Sequence, residues 1–115
     1  MAIEHGKTTA EYRTMVDKDG DITNSLKANL RCMSSALHKE DFIPKAVVEE
    51  MAEVVGKTMG DKASQLTGLV ADKVERDVRM FDKFCKILDN NEDPGMADIL
   101  RQYCLGLQGT FYMIL

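Results

Sequence analysis

Within residues 22–37, ITNSLKANLRCMSSAL, the apolar positions Ile22, Leu26, Leu30, Met33 and Leu37 recur at spacings of four and three. That repeat collects five side chains into one stripe along a helix, whereas a strand would scatter them over both of its faces. The same period governs almost the whole chain. No stretch alternates long enough to make a strand, and no Asn-Gly or Asp-Gly pair joins two β-like runs. The sequence predicts an all-α fold.

Six helices are expected. The first starts near Thr8, which has capping-box spacing to Glu11, places Tyr12, Met15 and Val16 on a face, and ends near DKDGD at Gly20. The second is residues 22–37, as one continuous stripe. Pro44 suits the first position of the third, which turns Val47, Val48, Met51, Val54 and Val55 inward and Glu49, Glu50 and Glu53 outward. Asp61 can cap the fourth, with Ala63, Leu66, Leu69, Val70 and Val74 apolar and Gly68 allowing close packing. The fifth carries Val78, Phe81, Phe84, Cys85 and Leu88. After a break at residues 90–94, the sixth carries Met96, Ile99, Leu100, Tyr103 and Leu107. Helices of this length on short loops form a bundle. Residues 1–7 are an N-terminal extension, residues 8–107 the bundle, and residues 108–115, ending FYMIL, an apolar tail.

Composition narrows the function. With 115 residues the chain can bury one modest core without staples. A formal charge of −4 gives no support to nucleic-acid binding, which uses a basic stripe. Apolar runs stay far below the roughly 20 residues of a membrane span, and MAIEHGKTTAEYR does not show the long apolar stretch expected of a secretory signal. Cys32, Cys85 and Cys104 are odd in number and widely spaced, and they read as core or half-core thiols in a reducing, cytoplasmic setting.

The motifs that could carry chemistry fall short. DKDGD at 17–21 opens like a calcium loop, but the sixth and twelfth positions hold Ile22 and Ala28 instead of glycine and glutamate. His5 and His38 have no Cys or His at zinc spacing. Gly56-Lys57-Thr58 lacks the upstream glycine of a phosphate loop, and no serine or cysteine stands in a nucleophile elbow. No catalytic residue, metal ligand or cofactor is assigned, and the chain reads as non-enzymatic.

Charge is more informative. Acids gather around the third helix at Glu40, Asp41, Glu49, Glu50 and Glu53. Bases lie on the first and fourth helices and the turn that follows, at Arg13, Lys18, Lys62, Lys73, Arg76 and Arg79. Most such charges read as solvated helix faces; the sharper reading is one module with two opposed patches, copies of which would attract one another head to tail, into rings or helical assemblies.

The order DFIPKAVVEEM, DKASQLTGLVADKV, FDKFCKIL and MADILRQY resembles the later four helices of a caspase recruitment domain, a branch of the death-fold superfamily. Phe42 and Ile43 match the apolar turn before that family's third helix. Leu66, Leu69 and Val70 match its fourth, Phe81 and Phe84 its fifth, and Ile99 and Leu100 its sixth. Arg13 and Met15 are similar to the start of its kinked first helix, although Gly20 is unusual there. The likeness spans residues 8–107. Death domains fit less well, since a core tryptophan is lacking, and so do death-effector domains, whose Arg-x-Asp-Leu motif is approached only by ERDV at 75–78.

The resemblance implies a six-helix antiparallel Greek-key bundle and a homotypic adaptor module of apoptotic or innate-immune signalling. Its partners would be itself and other such domains in caspases, nucleotide-binding receptors or adaptors, in oligomers or filaments. The implied basic surface is Arg13, Lys18, Lys62 and Lys73, and the implied acidic surface is Asp41, Glu49, Glu50 and Glu53. The alternative is a helical regulatory module that grips a partner helix or a small apolar ligand through surface methionines, Met59 and Met80 among them, and the C-terminal tail.

Overall fold

A computed structural model describes residues 9–53, 56–91 and 93–114, with side chains described as far as residue 108. These residues form seven helices and no strand: α1 Ala10–Asp17, α2 Asp19–Ala28, α3 Leu30–Lys39, α4 Lys45–Ala52, α5 Met59–Arg76, α6 Arg79–Asn90 and α7 Pro94–Ile114.

Each helix start has a local cause. The α1 cap is Thr9, one residue beyond the expected Thr8, which lies outside the described residues; its hydroxyl accepts from the Tyr12 amide at 3.1 Å. Thr58 caps α5 in place of the expected Asp61, and its Oγ1 accepts the Asp61 amide at 3.1 Å. The threonine of Gly-Lys-Thr is thereby accounted for as a helix cap. Pro44 sits just outside α4 in an extended conformation, so Lys45 takes the first helical position. At the acidic break, Asp93 Oδ1 accepts from the Met96 amide at 3.2 Å, and Pro94 begins α7 at the position where a missing N–H costs nothing.

The expected second helix is two. Asn29 leaves helical geometry (φ −133°, ψ 45°) and separates α2 from α3. Ile22, Leu26, Leu30, Met33 and Leu37 are all buried, as the stripe requires, yet they face different neighbours. α2 packs mainly on α5, whereas α3 packs on α4 and α6. A straight helix could not serve both, and asparagine, a weak helix former, marks the change of axis. A similar break at Lys18 divides α1 from α2, so Asp19, Gly20 and Asp21 are helical.

The α3–α4 turn is a Schellman motif. The Asp41 amide donates to the His38 carbonyl at 3.1 Å and the Phe42 amide to the Leu37 carbonyl at 2.9 Å, with Asp41 in the left-handed region (φ 63°). The turn drops Phe42 into the core, where its ring meets Phe84 of α6 edge-on at 6.2 Å. Around this pair lie Met15, Ile22, Leu26, Leu37, Leu66, Val70, Leu88 and Leu100, all fully buried. Burying each such side chain contributes about 1.5–3 kcal/mol relative to exposure.

Polar pins join the helices. Thr23 and Thr67 hydroxyls lie 2.8 Å apart across α2 and α5, and Ser25 donates to Asp93 Oδ2. Arg101 of α7 forks onto Asp89 of α6 at 2.7 and 3.3 Å. Some expected core positions are instead open. Val16 is 45% exposed, Val78 38% and Ile99 49%, because each sits at the rim of its helix's buried stripe or beyond it. Gly68 is exposed, and an added Cβ there would meet nothing within 4 Å, so it permits no close packing. α7 continues without interruption through the expected boundary at residue 107. Among the described residues, no helix is long and apolar enough to cross a membrane.

Candidate functional site

The acidic residues converge on α4 and its flanks. Glu49 and Glu50 occupy its last turn, Glu53 its C-cap, and Asp41 the turn that leads into it. All four are exposed, and none forms an ion pair with a described residue. Glu50 accepts from Gln65 Nε2 at 3.2 Å, and Gln65 in turn accepts from Lys57 at 2.8 Å. Val54 and Val55, expected on the same helix, lie outside the described residues.

The expected basic residues divide into three settings. Arg13 and Lys18 meet at the α1–α7 contact, where Arg13 stands 4.0 Å from Asp17 and the Lys18 ammonium lies 4.7 Å above the Tyr103 ring. Tyr103 donates its hydroxyl to Asp17 Oδ2 at 2.5 Å, and that hydrogen bond to a carboxylate pushes the phenol pKa up. Asp17 is therefore occupied, and Asp19, Gly20 and Asp21 are helical where a calcium loop would need a turn. Lys73 is half-buried on α5 and forms no ion pair among the described residues.

Lys62 departs from expectation. It is only 7% exposed, and its ammonium donates to the Met51 carbonyl at 3.2 Å and to the Glu53 carbonyl, which end α4. It cannot present charge to a partner. A signal for this stood in the sequence: Lys62, Leu66 and Val70 follow one another at intervals of four, along the buried stripe. The stem of a lysine can lie on such a stripe while its head finds the polar end of a neighbouring helix.

At the α5–α6 corner, Arg79 forks onto Asp77 at 2.9 and 3.0 Å, which holds that carboxyl below its usual range, while Arg76 stays exposed. Met59 is 54% exposed on the edge of a groove of about 420 Å³ that Leu30, Met51, Ala52 and Lys62 also line; Met80 is half-buried against the core.

Cysteine placement differs from the expectation at one position. Cys85 and Cys104 are buried, and burial pushes the Cys85 thiol up to about 12 and raises Cys104 as well. Cys32 is exposed on α3. His38 is an exposed residue in the last turn of α3, with Nδ1 placed to donate to the Ile43 carbonyl at 3.0 Å; His5 lies outside the described residues. Among the described residues no three His, Cys, Asp or Glu side chains group closely enough to hold a metal ion. The features that remain are charged helix surfaces over a polar-pinned core.

No protein-family model, curated protein or solved structure matches the chain.

Proposed function

We propose that this chain is a non-catalytic, homotypic interaction module, of the kind that recruits partners in apoptotic or innate-immune signalling, and that it docks its acidic α4 face onto the basic residues of another copy or a related domain. The observation that carries this reading is the state of Asp41, Glu49, Glu50 and Glu53. Four carboxylates share one short helix and its flanks, exposed and without a cationic partner among the described residues. Such a face attracts a positive surface and steers its approach. Arg13 and Lys18, on the α1–α7 side, and Lys73, on α5, are the cations proposed to meet it; Lys62, being buried, leaves the set.

The succession of helices supports the caspase-recruitment reading. α1 and α2, divided only at Lys18, are in this reading the two halves of a kinked first helix, and the order of α3 to α7 is that expected for the second to sixth helices of the family's Greek-key bundle. In this reading the cytoplasm is the natural compartment, and caspases, nucleotide-binding receptors or adaptors with like domains are the partners.

Charge-reversal complementation tests it. Neither E49K/E50K nor K18E/K73E should self-associate, because each lacks one of the two faces. Their equimolar mixture should form a one-to-one complex, because each keeps the other. A mixture that stays monomeric by size exclusion, when the wild type does not, rejects the pairing of these faces. The second reading, a groove for a partner's helix, is favoured by the exposed Met59 beside Leu30 and Met51. Met59→Glu separates the two: it should abolish helix capture and leave self-association in place.

A further inference from the structure

α4 is built against its own dipole. A helix is stabilised by acids near its N-terminus and by bases near its C-terminus. α4 has Lys45 at its start and Glu49, Glu50 and Glu53 at its end, with no acid in the first turn and no base in the last. Its N-cap, Pro44, contributes no side-chain bond. α5 has the favourable arrangement throughout, with Thr58 as cap, Asp61 in the first turn and Lys73 and Arg76 in the last. Tertiary packing compensates only in part. Of the eight residues of α4, Met51 alone is fully buried, Val47 and Val48 are half-buried against the core, and the helix packs chiefly on α3. The Schellman turn that anchors Phe42 belongs to the end of α3 and does not require α4 to be folded.

Two contacts from α5 oppose this bias: Gln65 donates to Glu50 Oε2 at 3.2 Å, and Lys62 supplies a charge. The buried Lys62 ammonium sits against the carbonyls of Met51 and Glu53, so the positive charge missing from α4's own last turn is supplied from α5. Grooves of about 420 Å³ flank that contact on two sides, both lined by Met51 and Lys62, so little side-chain packing backs it up.

We propose that α4 opens as a separate unit while the rest of the bundle stays folded, that Lys62 is the latch which holds it closed, and that its own carboxylates drive the opening. Resting on the docking reading above, this makes the acidic face self-regulating. A partner's cations placed beside Glu49 and Glu50 neutralise the charge that destabilises α4, so docking and closure reinforce each other. Binding of this type is tighter to the closed form by the factor through which the partner shifts the equilibrium. A cationic surface of a second copy, with lysine or arginine spaced to reach two adjacent carboxylates, is the partner that fits.

Amide hydrogen exchange of the full chain, at a dilution where it is monomeric, tests the latch. Amides of α4 are expected to exchange through an opening that leaves α2, α5 and α6 protected. E49Q/E50Q should slow α4 exchange about three- to tenfold, since it removes two charges from the wrong end of the helix. Lys62→Met should speed it about tenfold or more, through loss of the cation and both hydrogen bonds. Exchange of α4 at the rate of α5, or no slowing in E49Q/E50Q, overturns the proposal. The glutamine pair keeps the test decisive if Lys62→Met does not fold. A concentration series at low salt tests docking separately: α4 should become more protected as copies associate. If that protection fails to appear while the monomer results hold, the docking reading falls and the latch stands.

Discussion

Replacing Asp41 with glycine separates stability from association at a single residue. Asp41 occupies the left-handed position of the α3 Schellman turn, with φ 63°, and its side chain is exposed and makes no hydrogen bond or ion pair with a described residue. A residue with a Cβ is strained in that conformation by about 1–2 kcal/mol, less for aspartate, which tolerates it better than most. Glycine carries no such strain, and its greater freedom in the unfolded chain removes part of the gain. The net expectation for Asp41→Gly is a stabilisation of about 0.5–1 kcal/mol, a rise in Tm of about 2–5 °C for a domain of this size. The same substitution deletes one of the four acids, so self-association should weaken. Asp41→Asn serves as the control: it removes the charge and keeps a residue suited to the turn, so association should fall with little change in Tm. Thermal melting by circular dichroism and static light scattering across a dilution series read the two effects. A fall in Tm for Asp41→Gly would refute the turn argument, and unchanged association in both variants would remove Asp41 from the docking face.

Other expectations follow from the fold. Gly68→Ala on the open face of α5 should stabilise by about 1 kcal/mol, the propensity difference in a helix interior, and a lower denaturant midpoint would show a hidden packing role. Asp93→Ala loses the α7 cap and the Ser25 contact together and should destabilise by about 1–3 kcal/mol in chemical denaturation, more than a lone cap. Thiol alkylation followed by mass spectrometry should label Cys32 at once in the folded protein at pH 8. Cys85, its thiol pushed up to about 12, should react only as fast as the core opens, and rapid labelling of Cys85 would contradict its burial.

The helix faces were legible because the 3.6-residue period needs no tertiary knowledge. Ile22, Leu26, Leu66, Phe84 and Leu100 are buried where the spacing puts them. The break at Asn29 was not, because the apolar stripe runs through it unbroken and only the neighbours of α2 and α3 differ. Gly68 was misread for a related reason: a glycine within a helix signals lost stability, but whether it faces a neighbour or water depends on packing. The acidic residues around α4 could be grouped from their positions alone. The spacing of Lys62 with Leu66 and Val70 hinted at its burial, but the partner of its ammonium, the carbonyls that end α4, depends on how α4 and α5 meet. Charge locates a candidate surface in sequence, and burial decides which of its members are free to act.

The central claim is recognition between like molecules through opposed charge, and the most direct measurement is the weight-average mass of the wild-type protein by sedimentation equilibrium across concentration and salt. The mass should rise with concentration at low ionic strength and fall back toward that of one 12.9 kDa chain as salt screens exposed pairs beyond about 8 Å near 0.15 M. A single-chain mass at every concentration in low salt, or an assembly indifferent to salt, would contradict it.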